Sequence, residues 1–482
     1  MDFVTVQPRN SDQVSLFQKQ ESSMPLFVRT IDDATVLVNQ ASSPGTGWTT
    51  VASVQAAVDK ARTDNRPLYV RPGIYDTQQV VVTAGTGGGN KCSIYATPGS
   101  VTFRLQSGSF AQNLFFVSGI SDVRFSGLIF DGNNVAFTGI NAESALVRFE
   151  NSQRFLIEQC EFVRSVRVGS LVRNGSVGTI QNSQFSLCSF AVWSIDSLVN
   201  VSKNRIFNCQ NNGVAIWRTN IENDGSLVEG NNISNIQSGS GTGANGNGIT
   251  VFKAVGVRSI GNFISDCAYS SVRYFGGGSL VVANNYCWNS REVAIFIESP
   301  GTGSGRADTI GGSITGNIIA ECADGIKVVN LAQGGDGIAR RVTITGNQVA
   351  QVRKRQINDP GYVPTISNAV GIQVEGACVV SSNIVEGAEG VGIVAGTNLA
   401  TEDLNVTGNL VTFSPIGIGY SNAGGAGQVM ITGNQVRGAT NGSVVPVTLV
   451  GAGPFQRVGT SEFGNVPDQQ VGNLLVGHNR TY

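Results

Sequence analysis

A four-residue phrase returns along this chain: a small residue, an asparagine, a variable residue and an aliphatic. It reads Gly261-Asn262-Phe263-Ile264, Gly316-Asn317-Ile318-Ile319, Gly346-Asn347-Gln348-Val349, Gly408-Asn409-Leu410-Val411 and Gly433-Asn434-Gln435-Val436. Looser copies at Lys203-Asn204, Gly230-Asn231, Ala283-Asn284, Ser382-Asn383 and Gly472-Asn473 set a spacing of roughly 21 to 39 residues, the range of solenoid units. A unit that short cannot bury a core alone, so the copies must stack.

Between the asparagines run short stretches in which aliphatic and polar residues alternate, such as Val342-Thr343-Ile344-Thr345 before one copy and Gly371-Ile372-Gln373-Val374 after another. That period of two is strand periodicity, with glycine and asparagine at the corners. Stacked coils of this kind form a parallel β-helix, an all-β solenoid in which aliphatics point inward and corner asparagines bond their counterparts one rung away, about 4.8 Å along the axis. Asparagine also tolerates the left-handed corner conformation. A leucine-rich repeat would be dominated by leucine with a helical turn per unit, and a propeller would need four strands per blade; neither pattern is present.

Only 13% of the residues are charged, against about 25% in a typical domain, and the 62 glycines fit a chain of many corners. A formal net charge of −1 argues against nucleic acid as the partner. No apolar run approaches the roughly 20 residues of a membrane span. Met1-Asp2-Phe3-Val4 has neither a basic start nor an apolar core, so no secretory signal is expected here. Of the eight cysteines, Cys209, Cys267 and Cys322 recur at one place in their coils, as a stacked core column would. With no C-x-x-C pair and His478 the only histidine, neither a zinc site nor a histidine-based triad is expected, and no cofactor is called for.

Residues 1–46 carry no repeat and are read as an irregular attachment segment, followed by a glycine- and proline-containing linker. Val51, Val54, Ala57, Val58 and Ala61 then have helical spacing, which predicts a short N-terminal helix capping the open end of the sheets; this helix and the first coils occupy 47–100. The β-helix proper spans 101–440, and 441–482 form the last coils and C-terminal cap.

The capping helix with Val54-Gln55-Ala56-Ala57-Val58-Asp59, then Leu68-Tyr69-Val70-Arg71-Pro72-Gly73-Ile74-Tyr75, then asparagine-marked coils, resembles the start of pectate-lyase-like β-helix proteins. That superfamily includes polysaccharide lyases, glycosidases, epimerases and phage tailspikes, and the resemblance implies a right-handed, single-stranded helix. Asn212 to Arg218, Asn247 to Lys253 and Asp266 to Arg273 are most similar to an uncharacterised family of twin-arginine-exported β-helix repeat proteins of alphaproteobacteria. The chain departs from that family in lacking the twin-arginine leader, and it lacks the Asp-Asp and Gly-His-Gly signatures of polygalacturonases. What the resemblance implies is a fold and not a reaction.

Aligning the strand after each corner by its Gly-aliphatic start (Gly213-Val214, Gly248-Ile249, Gly325-Ile326, Gly371-Ile372 and their relatives) sorts side chains into columns. Two columns point outward: Ala215, Thr250, Arg273, Phe296, Lys327, Gln373, Val394, Gly419; and Trp217, Phe252, Phe275, Glu298, Val329, Glu375, Gly396. Aromatic rings beside charged and amide groups are what a sugar chain needs, so Trp217, Arg218, Phe252, Phe275 and Gln373 are candidate carbohydrate contacts. The same stripe would also suit a subunit interface or an ordinary exposed strand face.

If the face is catalytic, Glu298 and Glu375 stand two rungs apart in one column, about 9 to 10 Å, near the upper end of the roughly 6.5 to 9.5 Å of inverting glycosidases. The other option is elimination or epimerisation on a uronic acid, with Arg273 neutralising the carboxylate and Lys327 as base. Asp224, Asp324 and Asp336 are expected as turn residues. Insertions at about 236–247, 299–308, 331–341 and 353–368 could flank the face, with Arg353-Lys354-Arg355 and Tyr362 near an acidic glycan. The leading expectation is a spike or fibre subunit of a phage-like particle, homotrimeric as tailspikes are, located on the particle surface, attached through its N-terminal segment, that binds or trims host polysaccharide. A secreted or periplasmic lyase, hydrolase or epimerase and a non-catalytic adhesin are the alternatives.

Overall fold

The computed structural model describes residues 25–482 apart from 32, 40–44, 85–90, 107–111, 137–142, 240–243, 299–310, 330–340, 358–364, 398–400, 402, 422–426, 450–454, 460, 464–468 and 472–473. Most of the attachment segment, much of its linker, Asp336, Tyr362, most of the insertions at 299–308 and 331–341, and Gly472-Asn473 therefore lie outside the described residues. Each coil contributes one strand to each of three sheets of nineteen, fifteen and fifteen strands, parallel except near the two ends. In the coil around Asn285, Leu280–Ala283 belongs to the first sheet, Tyr286–Trp288 to the second and Val293–Glu298 to the third. The expected parallel β-helix is the observed fold.

The corner from first to second sheet is two residues long in coil after coil, and its second residue is the ladder asparagine. Asn204, Asn231, Asn262, Asn285, Asn317, Asn347, Asn383, Asn409, Asn434 and Asn479 form an unbroken buried file. The backbone N–H and the Nδ2 of each donate to the Oδ1 of the next at 2.9–3.0 Å, while Nδ2 also reaches a strand carbonyl of the preceding coil. Where the asparagines run out, Ser183 takes over, its N–H donating to Asn204 Oδ1 and its Oγ accepting from the Cys160 N–H. The left-handed conformation belongs to the residue before the asparagine, as at Gly316 (φ +64°), Gly346 (+66°) and Gly433 (+66°). In the copy Ala283-Asn284-Asn285 this shifts the ladder by one: Asn284 takes the turn at φ +54° and Asn285 joins the file. His478 turns the last corner, before Asn479.

Inside, Phe103, Phe130, Phe162 and Phe185 succeed one another in one column of the second sheet, and Ile206, Ile233, Ile264 and Cys287 continue it. Rung-on-rung stacking suits flat rings: Phe162 and Phe185 lie 4.5 Å apart and 7° from parallel. All eight cysteines are buried thiols that form no disulfide and act as core hydrophobes, with burial pushing thiols such as Cys188 up to about 12. Where glycine opens a third-sheet strand it is needed for close packing: a Cβ on Gly371 would meet Val385 Cγ1 at 2.4 Å and the Gly392 carbonyl oxygen at 2.5 Å.

At the N-terminus, Leu26–Ile31 and Ala34–Asn39 pair antiparallel, and Ala34–Asn39 then runs parallel to the strand Leu68–Val70. The helix spans Val54–Thr63, with the Ser53 Oγ accepting the Ala56 N–H at its start, and lays Val54, Ala57, Val58 and Ala61 on the end of the core. Val51, counted in the helical pattern, instead ends the strand Thr49–Val51. Among the described residues no helix is long and apolar enough to cross a membrane.

Candidate functional site

The outward side chains of the third sheet fall in the columns given by the Gly-aliphatic alignment. Ala215, Thr250, Arg273, Phe296, Lys327, Gln373, Val394 and Gly419 are successive register partners, and so are Trp217, Phe252, Phe275, Glu298 and Val329. Glu375 follows one rung beyond Val329, its N–H donating to the Val328 carbonyl. Glu298 and Glu375 thus stand two rungs apart, about 10 Å at the spacing of neighbouring strands.

Three candidates meet in a compact cluster. Arg273 Nη2 donates to both oxygens of Glu298 at 2.8 Å, and its Nη1 lies 3.4 Å from Glu292 Oε2. The guanidinium carbon of Arg273 stands 5.0 Å from the Phe296 ring centre and the Lys327 Nζ 5.6 Å from it. The side chains of Arg273, Glu298 and Glu292 are only 13%, 14% and 20% exposed. Burial pushes the Glu298 carboxyl above its ordinary range, opposed by Arg273. Gln373 and Glu375 are buried on the next rung, and Gln373 Oε1 has no hydrogen-bond partner among the described residues.

Two members of this cluster are absent from the sequence reading of the site. Glu292 lies just outside the aligned strand, and its Oε2 accepts from the Ser270 Oγ as well as facing Arg273. Asp324, expected as a turn residue, opens the strand Asp324–Val329 and is buried, its Oδ1 accepting the Val370 N–H at 2.9 Å. Earlier coils have Asn212 and Asn247 at this entry position, Asn247 donating to Asn212 Oδ1, so the aspartate replaces a ladder amide. Burial pushes its carboxyl up to about 6, with Lys327 pulling it down. The signal in the sequence was this second, shorter asparagine file.

The aromatic candidates lie on the N-terminal side of the cluster and begin one coil earlier than expected, with Phe190 and Trp193. Trp193 meets Trp217 edge-on at 4.9 Å, Trp217 lies 5.7 Å from Phe252, and Phe252 stacks on Phe275 at 5.5 Å and 9°. Rings stacked along the axis turn their faces to one another and their edges outward. Arg218 is tied inward, its Nε donating to Asp224 Oδ2 at 2.6 Å and its Nη2 to the Ser197 carbonyl. In the basic turn, Arg353 pairs with Glu321 and Glu389, and Arg355 donates to Asn289 Oδ1 and the Glu321 carbonyl.

Around 236–247 and 353–368 the chain leaves the second sheet for the third; at 299–310 and 330–340 it leaves the third for the first. All four insertions therefore sit at the two corners that border the third sheet, and none at the asparagine corner. Two depressions of about 500 and 720 Å³ lie elsewhere, one over Glu161, Gln184 and Arg205 on the second sheet and one between the helix and the first coils. Both are lined by groups that already pair within the chain, such as Gln184 with Glu161 and Arg104 with Asp76. Crowded charge distinguishes the third-sheet face instead. Among the described residues, no group of three or more His, Cys, Asp and Glu is placed to hold a metal.

Residues 219–361, which contain Arg273, Glu292, Glu298, Asp324 and Lys327 but neither Gln373 nor Glu375, match the model of the right-handed β-helix region. No curated protein matches the chain by sequence. Among solved structures, the pre-mature bacteriophage phi29 gene product 12 superposes with a TM-score of 0.53 at 10% identity, over 82% of this chain and 53% of that one. The Dettilon tailspike protein gives 0.49 at 15% identity over 83% and 70%, and a mannuronan C-5 epimerase A-module of Azotobacter vinelandii 0.45 at 16% over 63% and 92%. At such identities a likeness speaks of fold alone. By its three stacked sheets and the match to residues 219–361, the chain has the fold of the right-handed parallel β-helix proteins.

Proposed function

We propose that this protein is a spike- or fibre-type β-helix of a phage-like particle that binds host surface polysaccharide along the outer face of its third sheet, centred on Arg273. The observation that carries this reading is the crowding of Glu292 and Glu298 around Arg273, only 13–20% exposed, with Lys327 over the same Phe296 ring and the buried Asp324 within the field of both Lys327 and Glu292. Removing carboxylates from water costs more than one shared guanidinium returns, and a solenoid held by its core and ladder has no structural need of them. A second ionic group on the same sheet, Arg148 and Arg173 with Glu143 and Glu150, balances two cations against two anions and reads as structural.

On this face the edges of the stacked Phe252 and Phe275 rings would continue the track. Cleavage, where it occurs, is hydrolysis. Glu298, the carboxyl raised by burial, protonates the leaving oxygen as the glycosidic C–O bond breaks; Glu375 takes a proton from the water that adds to the anomeric carbon. The residues before Leu26 would attach the spike to its particle, which sets its location at the particle surface; a secreted enzyme or adhesin with the same face is the alternative.

Incubation with polysaccharides from candidate host cells tests the reading by product size. Glu298→Gln and Glu375→Gln should each slow chain shortening about 100-fold while leaving the fold's circular dichroism unchanged. Binding and cleavage that ignore both substitutions and Arg273→Ala would remove this face from consideration.

Side-by-side association, as in a homotrimer, is favoured by a separate surface. Phe263, Tyr286 and Ile318 are about two-fifths exposed on successive rungs of one column of the second sheet, with Trp288 in the next column and Ile384 beyond the polar Gln348. An apolar stripe of this size marks an interaction surface more often than plain surface. Light scattering should find an oligomer, and Tyr286→Lys with Ile318→Lys should reduce it to monomer without loss of secondary structure. A wild-type monomer at micromolar concentration would defeat this assignment.

A further inference from the structure

We infer that the depression beside the asparagine corner of the second sheet is a second ligand site, which takes the acidic end of a glycan, a sugar bearing a carboxylate or a phosphate, between Lys203 and Arg205. The groove is separate from the third-sheet face. The choice of a glycan as carrier of the acid rests on the reading of the protein as a glycan-binding spike.

Three successive coils build this groove. The residue that turns the corner, the one after it and the first residue of the second-sheet strand read Gln159-Cys160-Glu161, Asn182-Ser183-Gln184 and Lys203-Asn204-Arg205. The middle residue of each is buried, and Cys160 and Ser183 form the floor. The outer two stand as walls, one at the corner and one on the strand. Gln159, Asn182 and Lys203 turn at φ +52°, +48° and +56°; in the next two coils Gly230 and Gly261 turn instead, so the corner wall ends at Lys203. The volume of about 500 Å³ falls in the range of small-ligand sites. Where these coils leave the described residues, at 85–90, 107–111 and 137–142, they do so at the other two corners.

The walls change character along the axis, rung by rung at about 4.8 Å. Gln184 Nε2 donates to Glu161 Oε1, and the remaining oxygens of the two side chains are acceptors for sugar hydroxyls. The cations of the last rung have no such partner: among the described residues neither Lys203 nor Arg205 makes an ion pair or a side-chain hydrogen bond. Arginines of the preceding coils do pair, Arg104 with Asp76, Arg124 with Glu158 and Arg164 with Asp131. Arg205 instead lies over the Phe207 ring at 4.7 Å, a contact that occupies a face of the guanidinium and leaves its N–H edge open. Two like charges on one rung repel, and the ladder, made by Asn204 between them, needs neither. An oxyanion set between them relieves the repulsion and gains charge-assisted hydrogen bonds, which a neutral sugar cannot supply. Glu161 stands two rungs away, about 10 Å and so about a Debye length from the anion, which orients the ligand with its acid at Arg205 and its hydroxyls toward Glu161.

Calorimetric titration of the full chain with a glucuronate-terminated disaccharide, with glucose 6-phosphate and with the matching neutral disaccharide tests this. An acidic probe should bind, the neutral one about tenfold more weakly, and salt should weaken the acidic probe because the cations are exposed. Arg205→Ala should weaken the acidic probe about tenfold and Lys203→Ala severalfold, with unchanged thermal unfolding, while Arg273→Ala leaves it unaltered. Equal binding of acidic and neutral probes, or acidic binding that ignores Arg205→Ala and Lys203→Ala, would overturn the inference. Failure of both acidic probes while host polysaccharide still binds through Arg273 would remove the groove and leave the glycan reading standing. Failure of host polysaccharides on both faces would overturn that reading, and with it the glycan as carrier of the acid.

Discussion

Asn317→Ala is expected to lower the stability of the fold by about 4 kcal/mol, measured as a fall in the urea midpoint at unchanged slope. Asn317 sits mid-ladder with no exposed surface. Its Oδ1 accepts both the N–H and the Nδ2 of Asn285, and its Nδ2 donates to Asn347 Oδ1 and to the Val282 carbonyl. Truncation leaves two buried donors and two buried acceptors short of a partner, in a corner too tight to admit water to all of them, at about 1 kcal/mol each. Asn479→Ala, at the end of the file, loses only the bonds from Asn434 and the one to the Ile431 carbonyl, and the last coil can loosen to hydrate them. It should cost distinctly less. Equal losses at the two positions would mean that the asparagines act singly and not as a continuous file.

Much of this architecture can be read from the residues because a solenoid makes its constraints local and repeats them. An asparagine that must meet its copy in the next coil cannot drift in register, and the glycines that open third-sheet strands at Gly213, Gly248, Gly325, Gly371, Gly392 and Gly417 have no room for a Cβ. Together these pin the start of every strand, and strict alternation then assigns the outward columns, so Arg273, Phe296, Lys327 and Gln373 could be aligned across coils of very different length. Two copies slip: Asn284 stands for Asn285, because both residues of that corner are asparagine and only the backbone decides which one turns, and the partner of Asn434 is Asn479 rather than a residue of the Gly472-Asn473 copy.

The rest was hidden for physical reasons. A column states which side chains are neighbours, not how their rings tilt, and the stacking of Phe252 on Phe275 is a matter of tilt. Glu292 belongs to a corner, where alternation has no meaning. Asp324 occupies a position where the amide file of Asn212 and Asn247 has been broken, and a carboxylate there reads as a turn until the burial of its neighbours is known. Burial of an outward face is likewise a property of what folds over it, which a strand pattern does not encode.

Asp324→Asn should make the protein more stable than wild type in neutral solution but not in acid, the difference widening by about 2 kcal/mol between pH 4 and pH 8. The side chain is buried, its Oδ1 accepts the Val370 N–H, and Lys327 and Glu292 are the charged groups acting on it. Burial holds the folded carboxyl at about 6, whereas an unfolded aspartate titrates near about 3.9. A carboxyl raised on folding stabilises the native state fully below the unfolded value and loses that contribution as pH climbs through about 6, because the chain must then ionise a group that burial keeps neutral. Asparagine retains the acceptor for the Val370 N–H and has nothing to ionise, so it escapes the loss. Melting temperatures of the two proteins across this range separate the cases. Curves that move in parallel would mean that Asp324 stays ionised in the folded state well below pH 6, paired with Lys327. Curves that part near pH 6 would show the charge of the cluster itself changing by one unit there.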